Sequence, residues 1–342
     1  MHTTSPIQLG RFSRHFLSAA LLVLALGAGA PARAALAAGS PYGWPVKPFD
    51  QPHPIRGSFG DPRTMFAGPP TERTLLAGAG SFQFHDGVDI SAPDGTPAYP
   101  VESGTVKAVT SEKIVVDTGS RAFEYWHLVA AVTVGQHVDA DVTVLGHVRR
   151  SCGHVHLTEL EAGVPVNPLA IGHLTPYEDA STPVTTSVSF RKSVTDSDLM
   201  PEFLGGRLEI VANIHDFPSM PVRGTWHDLP VTPALVEWRI QRATDRKVLV
   251  PTRVAYDVRD HLPPLSDFWR VYARGTHQNM SVFGQHYSYM QPGAYLVRLA
   301  PGGFDTRTLP DGVYEVVVTA TDIRGNHSSY TQRFSVHNRP GA

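Results

Sequence analysis

Two textures alternate along this chain: short stretches in which every second residue is apolar, and stretches dense in glycine and proline. Alternation with a period of two sets one face of a strand against a core and the other against water. Between residues 82 and 169 it predicts strands at 105–109, 113–117, 122–128 and 142–148, with turns at Asp94-Gly95 and Ser103-Gly104. No helical period of useful length interrupts them, so this part reads as a compact β domain. A second series follows at 207–216, 235–242, 247–258, 294–299, 313–322 and 330–337, with one short helix near 265–273. Strands so spaced predict a β-sandwich. The fold class is all-β: a compact β-sheet domain at 55–171, then a sandwich at 188–342.

The remaining stretches connect or address these two. Residues 35–54 are Pro-rich and read as an extended lead-in, and 172–187, polar with two prolines, as a linker. Residues 65–80 show little periodicity and read as a long loop, of the kind that tends to be functional. At the N-terminus, Arg11 and Arg14 precede an apolar run, 16–30, and then Ala32-Arg33-Ala34. That order is a secretory signal, residues 1–34, cleaved after Ala34 or Ala37. The run falls short of the ~20 residues of a membrane span. The expectation is a secreted, periplasmic or cell-wall protein with no membrane contact beyond the signal segment.

Composition narrows this further. A length of 342 residues suggests two domains, and 42% hydrophobic with 18% charged residues argues for real cores and against disorder. A formal charge of -2 gives no pull towards nucleic acid or an anionic surface. The single cysteine, Cys152, rules out an intramolecular disulfide, so cores or a metal must stabilise the exported chain. Cys152 itself reads as a small residue in a turn.

Candidate chemistry gathers at three places. In Gly153-His154-Val155-His156 a strand sends both imidazoles out of one face, although one H-x-H is about what chance supplies among 17 histidines. His85-Asp86-Gly87-Val88-Asp89 sets a histidine and a carboxylate across a bend, and His127 closes the run Tyr125-Trp126-His127-Leu128. Catalytic zinc takes three N or O donors and keeps a fourth position for water, whose pKa it brings to about 7. Two imidazoles and a carboxylate meet that need, and two further histidines could move the proton. Chemistry alone does not say which of His154 and His156 is the ligand. Elsewhere, Trp226, Trp238 and Trp269 read as core, and His215, Asp216, His261 and Asp322 as solvated strand ends.

Taken in order, these pieces have a family likeness. Phe59-Gly60-Asp61-Pro62-Arg63, His85-Asp86-Gly87-Val88-Asp89-Ile90 with Asp94-Gly95-Thr96-Pro97, Tyr125-Trp126-His127-Leu128, Gly153-His154-Val155-His156-Leu157 and Val166-Asn167-Pro168 follow one another as in the lysostaphin/LytM-type zinc endopeptidases. Residues 55–170 resemble that family of cell-wall peptidases. The resemblance implies Zn2+ on His85, Asp89 and His156, with His127 and His154 as the catalytic pair. It also implies an antiparallel sheet with the metal in a groove, and peptidoglycan peptides as substrate. The alternative within the same likeness is a relative that binds wall peptides, or activates a partner hydrolase, without cleaving. Three features depart from the pattern: the stretch 64–84 is long enough to form a lid, Leu157-Thr158-Glu159 replaces the usual aromatic-acid pair, and Arg150-Ser151-Cys152 precedes His154 where small or polar residues are commoner. The closing run, from Leu309-Pro310-Asp311-Gly312 to Gly325-Asn326, resembles the last hairpin of bacterial immunoglobulin-like modules. Oligomeric state is not legible.

Overall fold

The computed structural model describes residues 40–66, 80–193, 195–281 and 290–338. The signal segment and the centre of the long loop, 67–79, lie outside them. No helix among the described residues is long and apolar enough to cross a membrane. The architecture is all-β, as the alternation predicts, and its paired strands run antiparallel, as the resemblance implies.

The first half is built from β1 (Ile55–Gly57), β2 (Pro62–Phe66), β3 (Gly80–Phe84), β4 (Val88–Ser91), β5 (Pro97–Ala98), β6 (Gly104–Val109), β7 (Lys113–Asp117), β8 (Arg121–Trp126), β9 (Leu128–Ala130), β10 (His137–Val138), β11 (Gly146–Val148), β12 (His154–Glu161) and β13 (Val164–Val166). The main sheet runs β1-β4-β12-β8-β7-β6-β10, with β13 folded back on β12. A small sheet, β5-β11-β9, stands beside it. Val88, Ile90, Phe123, Tyr125, Val155 and Leu157 point to one side and are fully buried. Each such side chain taken out of water stabilises the fold by about 1.5–3 kcal/mol. The intervening residues, Asp89, His154 and His156 among them, therefore share the opposite side.

Several local expectations change. Within the lead-in, residues 40–54 are packed rather than free of the domain: Tyr42, Trp44 and Val46 are buried in this core and Trp44 donates its indole N–H to the Pro176 carbonyl. The strand expected at 142–148 shrinks to β11. Ahead of it, the N–H groups of Val142 and Thr143 both bond the Asp139 carbonyl in a turn, which leaves Val142 exposed. The strand expected at 122–128 breaks at His127, whose φ of 67° lies in the left-handed region.

The second half contains β14 (Val184–Lys192), β15 (Asp198–Leu199), β16 (Arg207–His215), β17 (Leu235–Arg242), β18 (Val248–Asp257), the short helix α1 (Phe268–Val271), β19 (Met280–Ser281), β20 (Met290–Gln291), β21 (Leu296–Arg298), β22 (Phe304–Asp305), β23 (Gly312–Thr321) and β24 (His327–Val336). β14 begins inside the segment read as linker. One sheet runs β15-β14-β16-β21, with β22 on β16, and the other β18-β17-β23-β24. Phe190, Ile210 and Val297 of the first meet Trp238, Ile240 and Val316 of the second in one core. This is a sandwich.

That core reaches back into the first half. Phe59 and Phe84 belong to it, and Phe82 stacks against Phe268 and Trp269. The hydroxyls of Tyr256 and Tyr272 both donate to the Gly60 carbonyl at 2.9 Å, and the Thr232 N–H donates to Asp61 at 2.7 Å. Gly60 sits at φ 87°, where an added Cβ would run into the Tyr256 hydroxyl. The described ends of the long loop, β2 and β3, thus form a hairpin seated on the sandwich.

Asp179, Asp216 and Asp322 gather where the second half meets the first, and the latter two are each 3% exposed rather than solvated strand ends. Burial, reinforced by the charge of Asp179, pushes the Asp216 carboxyl up to about 7 against the pull of the Phe217 N–H. Its folded pKa lies above the unfolded value of about 3.9, so its contribution is fully present below that pH and is lost as pH rises through 7. Asp216→Asn is expected to gain on the parent across that window, by up to about 4 kcal/mol. Urea unfolding at pH 4 and pH 7 checks this; a stability gap that stays flat between them refutes it.

Candidate metal centre

The site is assembled by register. β12 lies between β4 and β8, with His156 opposite Asp89 on one side and Trp126 on the other. Strand alternation turns His154 and His156 the same way, towards Asp89, while the break after Trp126 brings His127 alongside. His85 arrives from the loop before β4. Its backbone N–H donates to the Asp61 carbonyl and its carbonyl accepts from the Gly60 N–H, both at 2.8 Å.

Three donor atoms then converge. His85 Nε2 lies 2.7 Å from His156 Nδ1 and 3.2 Å from Asp89 Oδ1, and the latter two are 3.1 Å apart. A tetrahedral zinc bound at about 2.1 Å holds its ligands about 3.4 Å from one another, so these residues fit the ion with small adjustments. The far atom of each is held as well. His85 Nδ1 donates to the Ser58 carbonyl at 2.8 Å, which turns its bare Nε2 inwards. His156 Nε2 meets Thr158 Oγ1 at 2.8 Å and Asp86 at 3.4 Å. Arg63 donates to Asp89 Oδ2 at 2.6 Å, leaving Oδ1 for the triangle. Such outer contacts fix ligand orientation and tautomer. Gly87 admits no side chain, since a Cβ there would meet the Leu157 carbonyl and come within 2.9 Å of His156 Nε2.

The electrostatics suit a cation. Burial, helped by the charge of Arg63, pulls His85 down to about 4 against the pull of Asp89. Burial also lowers His156, yet Asp86 and Asp89 outweigh it and raise the group overall. With His85 Nδ1 donating to the Ser58 carbonyl, His156 Nδ1 is the donor across the 2.7 Å contact, and a divalent ion held there would take the place of that proton, tying affinity to pH. For Asp89 burial acts upwards, but the charges of His85, Arg63 and His154 hold the carboxyl well below its usual range.

The remaining two histidines stand beside the triangle. His154 Nδ1 donates to the Cys152 carbonyl at 2.7 Å, and its Nε2 lies 3.4 Å from Asp89 Oδ1. The His127 ring is 4.5 Å from it and 6.4 Å from that of His156. Burial, then the charge of His154, brings His127 down to about 4, and its buried Nδ1 has no partner among the described residues. All five residues singled out in the sequence thus meet in one place. The groups that hold them, Ser58, Arg63, Asp86 and Thr158, have no role in the sequence reading, although Arg63 stands in the entry motif, Asp86 in the ligand motif and Thr158 just after the last ligand. A second cluster, Glu159 with Glu161 and His173, is already committed, because Glu159 accepts from Tyr42 at 2.6 Å, Arg121 at 2.7 Å and His173 at 2.8 Å.

No family model matches this chain, and no curated protein does. Among solved structures it is similar to a chain of the SpoIIQ–SpoIIIAH pore forming complex, at 18% identity over 38% of this chain and 89% of that one, with a TM-score of 0.29. It is similar to a zinc containing peptidase from Vibrio cholerae, at 24% identity over 34% of this chain and 39% of that one, TM-score 0.24. It is also similar to the antimicrobial peptidase lysostaphin from Staphylococcus simulans, at 13% identity over 57% of this chain and 95% of that one, TM-score 0.23.

Proposed function

We propose that the chain is a zinc-dependent endopeptidase that hydrolyses peptide bonds of peptidoglycan, in stems or cross-bridges, outside the cytoplasm. What carries this is the triangle of His85 Nε2, Asp89 Oδ1 and His156 Nδ1 with two more imidazoles beside it. The ordered sequence likeness supports wall peptides as the substrate, and the N-terminal signal supports export. We also take the sandwich as an immunoglobulin-like module, on the likeness of its last hairpin.

When bound, the ion supplies Lewis acidity, acidifying water and polarising a carbonyl. The protein's own groups do the rest. His154, its Nδ1–H held by the Cys152 carbonyl, presents Nε2 as acceptor for the proton of the attacking water and returns that proton to the leaving amine. His127, whose Nδ1 has no partner among the described residues, offers an N–H to the developing oxyanion. Arg63, Ser58 and Thr158 keep the three ligands from turning away.

Purified chain carrying zinc is expected to release new amino groups from isolated peptidoglycan, to stop on chelation and to resume on adding zinc. Zinc-loaded protein that sediments with the wall yet releases no amino groups would favour the binding role instead.

A further inference from the structure

One cation beside the site keeps most of its donors unengaged. Arg56, on β1, lies with its guanidinium carbon 4.2 Å above the ring of Trp226, and its Nη2 faces His154 Nδ1. That nitrogen also meets the Cys152 carbonyl, so it serves either Arg56 or the carbonyl at one time and engages at most one of the guanidinium's donors. Guanidinium carries five N–H donors. Apart from the contact with His154, none of those of Arg56 meets an acceptor among the described residues, and its Nε is buried without a partner. No carboxylate there comes within 4.0 Å of it, whereas neighbouring Arg63 is matched by Asp89 and Asp61. A half-buried, unpaired cation is costly to keep unless something binds it. Burial accordingly draws Arg56 below the usual arginine range.

Trp226 comes from the loop between β16 and β17, so the sandwich supplies this neighbour of Arg56. It also lines an apolar cavity of about 340 Å³ with Phe217, Met220, Val222 and Leu229. Asp228, also in the lining, is engaged by His227 at 2.8 Å. His154 faces Arg56 with Nδ1 and, across its ring, Asp89 Oδ1 with Nε2 at 3.4 Å. An anion on Arg56 would thus lie beyond His154, on the side of its ring away from the ligand triangle.

We propose that Arg56 seats a carboxylate of the substrate peptide, carried by the residue next to the scissile bond, while Trp226 holds the guanidinium flat and the adjoining cavity takes that residue's small alkyl side chain. The substrate class is then an acidic peptide stem ending in, or branching to, a free carboxylate, rather than a neutral bridge. This rests on the peptidase reading of the same site, but binding tests it without hydrolysis.

The probe is N-acetyl-alanyl-alanine, in D and L forms, against its carboxamide, titrated into the full zinc-loaded chain by calorimetry. The free acid is expected to bind at least about tenfold tighter than the amide, as for a charge-assisted bond. Arg56→Gln should erase that preference with zinc still at one per chain; Arg56→Lys should keep part of it, and Trp226→Leu should weaken it. A preference that survives Arg56→Gln comes from the metal, and overturns the proposal. Equal binding of acid and amide by the parent overturns it too. If the preference holds but no wall is cleaved, the peptidase reading fails and the carboxylate site stands. If wall is cleaved without any preference, only the carboxylate site falls.

Discussion

His156→Ala is expected to strip the chain of zinc and lower the release of amino groups from peptidoglycan by at least on the order of 10³-fold. The substitution removes one corner of a triangle whose edges are 2.7, 3.1 and 3.2 Å. Groups that merely support a ligand are worth about 10–100-fold when lost. A ligand must be worth more, because two donors cannot hold a catalytic zinc at neutral pH against water. Thr158→Ala sets the scale for the lesser effect: it removes the hydroxyl 2.8 Å from His156 Nε2 but no donor to the ion. The expected ranking is parent, then Thr158→Ala, then His156→Ala, in both zinc per chain by atomic absorption and rate. Circular dichroism should show both variants folded, since the apolar side of β12, Val155 and Leu157, is untouched. A His156→Ala protein that keeps one zinc per chain and the parental rate would mean that the ion, if any, is held elsewhere.

How far the site could be read in advance depends on which residues carry the pattern. His85, Asp89, His127, His154 and His156 were legible because motif order brackets them and because a period of two fixes the side to which His154 and His156 turn. The strands at 113–117 and 235–242 were legible for the same reason, with turn residues at either end. Failures came where local chemistry and tertiary pairing disagree. Residues 184–187, Val-Thr-Thr-Ser, look like linker but pair with β16. Prolines around Tyr42, Trp44 and Val46 hid an alternation that was there to be seen. At 142–145 the apolar run is real, yet the chain turns back on Asp139 before any partner strand is reached. Arg56 had no signal at all, since its meaning depends on Trp226, which lies far along the chain.

That dependence of the first half on the second leads to the other large effect. A chain cut to residues 40–183 is expected to bind zinc at least about 100-fold more weakly than the full chain, and to cleave no wall. The segment that steadies two of the three ligands, through the Ser58 carbonyl on His85 and Arg63 on Asp89, is itself gripped by the sandwich. Without it, the Gly60 carbonyl loses the hydroxyls of Tyr256 and Tyr272, Asp61 loses the Thr232 N–H, and Phe59, Phe82 and Phe84 face water. Phe84 adjoins His85 directly, so its release is felt at the metal. Phe268→Ala is the graded version: it deletes a ring 5.3 Å from that of Phe84 in the intact chain, and should cost about 3–5 kcal/mol of stability. Zinc affinity should fall with it, although Phe268 touches no ligand. Calorimetric zinc titrations of the parent, Phe268→Ala and the 40–183 fragment give the order directly. A fragment that unfolds cooperatively and binds zinc as tightly as the full chain would show the sheet domain to be self-sufficient, and the sandwich to be no part of the metal site's support.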